Sequence, residues 1–134
     1  MGKFGKEHFS KGNEWRVDIK VQLNNLSESY ISCINPNDYY NFLDDSTYDS
    51  QKEVMDFDLW KLRQSDLVIV NFNDISSLGT MTELAIAYEH KIPIVGLCEN
   101  YNKNHLHPWQ KSMCLKIFTD REDLVRYVID YIWM

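Results

Sequence analysis

Two carboxylates and one polar turn are the parts of this chain equipped for chemistry. The turn is Asn73-Asp74-Ile75-Ser76-Ser77-Leu78-Gly79, and Thr80 and Glu83 follow it. It leaves Leu67-Val68-Ile69-Val70-Asn71-Phe72, an almost continuous apolar run of the kind expected for a strand buried on both faces. Ligands of open α/β sheets sit beyond the carboxyl ends of strands, where such a turn lies. Gly79 lets the backbone come close to a ligand. The N–H groups of Thr80 and its neighbours, with the Ser77 hydroxyl, could hold an anion. The plainer reading is a strand-to-helix turn with a serine N-cap. Glu83 lies one turn into the helix, where the macrodipole alone would favour a carboxylate. Asp58 is the second carboxylate, one turn after Val54 and one before Leu62. A surface aspartate is the plain explanation, but aspartate is a mediocre helix former and Asp56 would serve the surface as well. Paired carboxylates suit glycosidic bond cleavage, with one attacking the anomeric carbon and the other handling a proton. They are expected to face one cleft, separated by roughly 5–10 Å.

Periodicity supplies the elements that must position these groups. Residues 1–12 have no clear period and read as a loop or frayed end. From Asn13, a candidate N-cap, Trp15, Ile19, Leu23 and Leu26 form a helical stripe. Tyr30–Ile34 reads as a short strand ended by Asn35-Pro36-Asn37-Asp38, and Tyr39–Asp49 as a loop. A second helix is expected from about Ser50 to Gln64, with Ser50 and Glu53 as a capping box and Met55, Leu59 and Leu62 inward. The Leu67–Phe72 strand, a helix over Thr80–His90 and a buried strand over Ile92–Leu97 follow. A polar loop over Asn100–His107, an edge strand over Lys116–Phe118 and a final helix with Leu124, Val125, Val128, Ile129 and Ile132 inward complete the order. This alternation reads as α/β: a doubly wound, mostly parallel sheet of four or five strands, helices on both faces, in a single domain spanning 1–134.

Composition limits the alternatives. The 134 residues are 44% hydrophobic and 25% charged, ordinary for a globular domain. No apolar run approaches the ~18 residues of a membrane span, so no membrane partner is expected. A net charge of −6 argues against a nucleic-acid partner. The cysteines Cys33, Cys98 and Cys114 form no close-spaced metal motif, and their odd number fits a reducing cytosol rather than a disulfide framework. A cytoplasmic location is therefore expected.

One stretch resembles a known family. Asp58, Leu59, Leu62, Ser65 and Asp66, then a buried strand and a short turn, then Gly79, Thr80, Glu83, Leu84 and Ala87 match the pattern D-L-x-x-[LI]-x-x-[SA]-D … G-[TL]-x-x-E-L-[AG]-x-A. That arrangement resembles the nucleoside 2-deoxyribosyltransferase family and its nucleoside 5′-monophosphate N-glycosidase relatives. The likeness is loose over Trp15–Trp133 and good over Asp58–Leu97, with Lys91–Leu97 similar to the family's next strand. The resemblance implies that Glu83 attacks C1′ to form a glycosyl-enzyme intermediate, and that Asp58 orients the sugar and acts as acid/base group. It implies no metal or organic cofactor. The transferases usually carry an aspartate six residues before the nucleophile. Here Ser77 stands at that position, as in the monophosphate glycosidases, where hydroxyl and glycine N–H groups hold the 5′-phosphate. The family's opening strand, of the type I-Y-L-A-G, has no counterpart in this sequence.

The resemblance adds further expected substrate contacts. Asn37 and Tyr39 lie in a loop that lines the base pocket, with turn formation and packing as the plain alternative. Asn71, Asn73 and Asp74 follow the central strand, and Asn73 is taken as a substrate contact. Subunits of the family often complete each other's pockets, and His107 and Trp109 fall near the matching distance, unless they are only a Pro-initiated helix start and a packing aromatic. A homodimer or higher homo-oligomer is therefore expected. The expected function is cleavage or transfer of the N-glycosidic bond of (2′-deoxy)nucleosides or their 5′-monophosphates. The alternative is a nucleotide-binding or sensing module that keeps the pocket without turnover.

Overall fold

The computed structural model describes residues 6–26, 51–74, 77–100 and 105–132. Asn37, Tyr39, the expected Tyr30–Ile34 strand and the Ser50 cap lie outside the described residues. The elements run α1 (Lys6–Leu26), α2 (Gln51–Arg63), β1 (Val68–Asn71), α3 (Leu78–Glu89), β2 (Ile94–Leu97), α4 (Pro108–Met113), β3 (Lys116–Phe118) and α5 (Arg121–Tyr127). A π-helical turn, Val128–Ile132, follows α5 directly. Two compact units are distinguished, Met1–Asp58 and Leu59–Met134.

In the first unit α1 begins at Lys6, so residues 6–12 are helical rather than loop, and Asn13 lies inside the helix instead of capping it. Lys6, Glu7 and Lys11 are good helix formers. A single Gly12 costs about 1 kcal/mol, which a long helix tolerates. The expected stripe holds at Ile19 and Leu23, both buried, and fails at Leu26, which is exposed as the last residue of the helix. In α2 the buried residue is Val54, while Met55 is exposed. The inward face of that helix is therefore set by Val54, with Asp58 four residues on.

The second unit is a βαβ arrangement. β1, β2 and β3 pair in that order, all parallel, with Val70 opposite Gly96 and Gly96 opposite Ile117. Three strands are thus present among the described residues. All four residues of β2 are buried. Alternate residues of a strand point to opposite faces, so β2 is covered on both. One cluster joins Val70, Phe72, Ile94 and Cys98 to Leu84 and Ala87 of α3. α5 packs against β2 and β3, and its Leu124 and Val125, with Val128 beyond it, are fully buried. The chain leaves α3 through a paired carbonyl cap: Lys91 N–H donates to Tyr88 O and Ile92 N–H to Ala87 O, each at 3.0 Å. Lys91 takes φ 59° there, the left-handed conformation that closes such an end and turns the chain toward β2.

Gly96 is required by packing. A Cβ at this position would lie 2.8 Å from Phe72 Cε2 and 3.1 Å from Ile117 Cγ1. Phe72 is wholly buried and its N–H donates to Leu97 O at 2.7 Å, so its ring has nowhere to retreat. Gly96→Ala should therefore destabilise the protein by about 1–3 kcal/mol through overpacking, read as a lower denaturation midpoint in urea with an unchanged slope.

Candidate functional site

The start of α3 is built by local chemistry. Ser77 takes an extended conformation, φ −70° and ψ 109°, and its hydroxyl accepts from Thr80 N–H. That hydrogen bond is 3.4 Å long, and Met81 N–H donates to Ser77 O at 3.1 Å. The serine is thus an N-cap, and the helix starts at Leu78, two residues before the expected Thr80. The first N–H groups of a helix have no partner within it. Leu78 and Gly79 supply these, beside a Thr80 N–H already turned to the cap.

Gly79, Thr80 and Glu83 share one face of α3. Glu83 follows Thr80 by three residues and Gly79 by four, and helical Cα–Cβ bonds tilt toward the N-terminus, so Glu83 shares the face of that first turn. Glu83 is part-buried, and Gly79 is exposed. Neither backbone conformation nor packing calls for glycine at 79. No glycine among the described residues has positive φ, and a Cβ at 79 would meet nothing within 4 Å among them. The position is open where Gly96 is filled.

Asp58, in the first unit, is half-buried on the Val54 side of α2, whereas Asp56 is exposed and paired with Lys52. Burial raises the Asp58 carboxyl above its ordinary range, and the Arg16 guanidinium offsets part of that rise. The direction of the shift favours the protonated form relative to a fully solvated aspartate.

Asn73 stands at the carboxyl end of the sheet, and its side-chain amide is engaged on both sides. Its Nδ2 donates to Glu99 Oε1 at 3.3 Å, and its Oδ1 accepts from Glu99 N–H at 2.7 Å. Asn100 Nδ2 donates to Asn73 O at 3.0 Å. Arg121, the first residue of α5, then grips the Glu99 carboxylate with Nε at 2.9 Å and Nη2 at 3.0 Å. Sequence reasoning missed Glu99 and Arg121. Their only advance signal was their position, each within a few residues of the end of a strand. Asn71 accepts from Asn73 N–H at 2.7 Å and so shapes the same turn.

His107 is the N-cap of α4, with Pro108 at the first helical position. Its Nδ1 accepts from Trp109 N–H at 3.1 Å, and Gln110 Oε1 accepts from His107 N–H at 2.8 Å, completing a capping box. With Nδ1 accepting, the ring proton of a neutral His107 lies on Nε2. Trp109 is no packing aromatic: it is 71% exposed and meets His107 edge-on at 5.8 Å. Gln110 Nε2 donates to Met81 Sδ, which fastens α4 to the first turn of α3. The Cys114 thiol at the end of α4 is pushed up to about 12 by burial, so it is protonated and unreactive at neutral pH.

Among the described residues no group of three His, Cys, Asp or Glu side chains is arranged to hold a metal ion, and no helix is long and apolar enough to cross a membrane. No protein-family model, curated protein or solved structure matches this chain.

The raised Asp58 carboxyl fixes the sign of a pH effect. A carboxyl whose folded pKa exceeds its unfolded one contributes stability below the unfolded value and loses it as pH rises through the folded value. Asp58→Asn removes that loss. The variant should melt no lower than the wild type at neutral pH, and any advantage should disappear near pH 3, below both values. Thermal melts at the two pH values check this. A variant markedly less stable only at neutral pH would mean that the charged form is the favoured one.

Proposed function

We propose that this chain cleaves or transfers the N-glycosidic bond of (2′-deoxy)nucleosides or their 5′-monophosphates, with Glu83 as nucleophile and Asp58 as acid/base group. The observation that carries the reading is Gly79: a glycine that, among the described residues, neither φ nor packing requires, one turn below a part-buried glutamate, at the capped start of a helix. An anionic group seated there would meet the Leu78 and Gly79 N–H groups and the positive end of the helix dipole. The Ser77 hydroxyl stands at the same end. Glu83 attacks C1′ from the face opposite the base, and the base leaves as Asp58 supplies a proton. The resulting glycosyl ester passes to a second base or to water. Burial moves the Asp58 carboxyl in the direction a general acid needs. Neither metal nor organic cofactor enters this scheme.

The same proposal extends the three parallel strands to a doubly wound sheet of four or five. It also assigns Asn37 and Tyr39 to the base and places a second copy of the chain against His107 and Trp109. The exposed Trp109 supports that placement. Trp109→Asp should leave the melting temperature of the dilute protein nearly unchanged while lowering the mass measured by light scattering. A wild type that is strictly monomeric at micromolar concentration would remove the oligomer from the proposal.

The chemistry is tested by base release from a panel of deoxynucleosides and their 5′-monophosphates. Glu83→Gln keeps shape and hydrogen bonding but removes the attacking charge, and should cost several orders of magnitude in rate, about 1.4 kcal/mol for each tenfold. Ser77→Ala should weaken a monophosphate more than its nucleoside and cost about 1 kcal/mol of stability through the lost cap. Gly79→Ala should hold or raise stability, since alanine exceeds glycine in a helix by up to about 1 kcal/mol, yet impair the monophosphate. Full activity in Glu83→Gln would overturn the mechanism. Tight binding with no base release by the wild type would replace it with the sensing module.

A further inference from the structure

Arg121, Glu99 and Asn73 form a chain of contacts across the carboxyl end of the sheet. Asn73 follows β1, Glu99 follows β2 and Arg121 follows β3. The Glu99 carboxylate takes the Asn73 amide on one side and the Arg121 guanidinium on the other, while the Glu99 N–H closes a ring back to Asn73. The Glu99 and Arg121 side chains are only 30% and 20% exposed, so this ion pair is screened less than a free surface pair. A two-bond Arg–carboxylate contact is also directional, which a lysine could not reproduce. Asn73 stands four residues before Ser77, the cap of α3.

We propose that the Arg121–Glu99–Asn73 clasp positions the start of α3. In this inference Arg121 and Glu99 are positioning residues: they act through Asn73, and Asn73 serves the site by holding the exit of β1. The inference rests on the reading of the α3 start as the anion-binding end of the site, but its geometry can be tested without any turnover. Arg121 keeps the Glu99 carboxylate turned toward Asn73. Asn73 in turn is held just beyond β1, four residues before the Ser77 cap.

Amide hydrogen exchange on the full chain, resolved by residue, tests this. The informative amides are Met81, whose N–H donates to Ser77 O, and Glu99, whose N–H donates to Asn73. Val95, within β2, reports on the sheet itself. Asn73→Ala should speed exchange at Met81 by about tenfold or more while Val95 stays as in the wild type, a local opening rather than a global one. Arg121→Gln should act in the same direction but less, and Arg121→Lys less again, because one charged contact survives. Adding Glu99→Gln to Arg121→Gln should give little more than Arg121→Gln alone, as expected for members of one network. Unchanged exchange at Met81 in Asn73→Ala would overturn the inference. So would equal acceleration at Val95, which would make the clasp a contributor to overall stability only. These readings decide the clasp whether or not Glu83 turns over a nucleotide.

Discussion

The contact on which the rest of the Leu59–Met134 unit depends is the Phe72 ring lying over Gly96. Parallel strands must be covered on both faces because their connections bring helices to them. Here the middle strand gives up its side chain at one position so that an aromatic ring from the end of β1 can fill the space. Phe72 is wholly buried, its N–H extends the ladder to Leu97, and Leu84 and Ala87 of α3 join it in one cluster. The exit of β1 is thereby set to within the play of a packed ring. The next residue is Asn73, which turns to Glu99, and four residues later Ser77 caps α3. An apolar contact in the core thus fixes the register of the polar groups at the sheet's carboxyl end.

Local chemistry was legible in the sequence; contacts across the fold were not. The Leu67–Phe72 and Ile92–Leu97 runs announced β1 and β2, and the structure trims them to Val68–Asn71 and Ile94–Leu97. The β3 bounds agree with the Lys116–Phe118 reading. α3 begins earlier than its pattern implied, because Leu78-Gly79 looks like turn but follows a serine able to cap it. At such an end glycine costs little. Val54 rather than Met55 faces inward because adjacent residues of a helix differ by 100° and the sequence offers both as apolar. The final helix loosens into a π turn at Val128, which no apolar periodicity marks. Asn73 was visible as a polar residue at a strand end, but its partners lie 26 residues away at Glu99 and a further 22 at Arg121. Nothing in a single sequence joins residues at such separations.

The candidate site divides along the same line. Ser77, Gly79, Thr80 and Glu83 lie within seven residues, and helix geometry alone places the last three on one face. Asp58 is separated from them in sequence, but its own helix distinguishes it. Asp56 is at the surface with Lys52, while Asp58 follows Val54 on the buried side and has its carboxyl raised by that burial. His107 was readable both as a site residue and as a helix start. The structure makes it a cap, and in doing so leaves Trp109 outward.

Two glycines show how a fold separates its own requirements from those of a ligand. At Gly96 the reason is internal, since a methyl group would collide with Phe72 and Ile117. At Gly79 no internal reason exists among the described residues: φ is not positive, and a methyl group would meet nothing. In a helix interior glycine costs up to about 1 kcal/mol relative to alanine, and in the first turn, where Gly79 stands, less. What glycine does provide at such a place is a backbone that another group can approach closely. The same logic applies to Asp58, whose burial disfavours its charged form where an asparagine would fit the space without that penalty. Each of the two residues is thus explained incompletely by its own helix: Gly79 by an open first turn, Asp58 by a carboxyl that burial pushes upward.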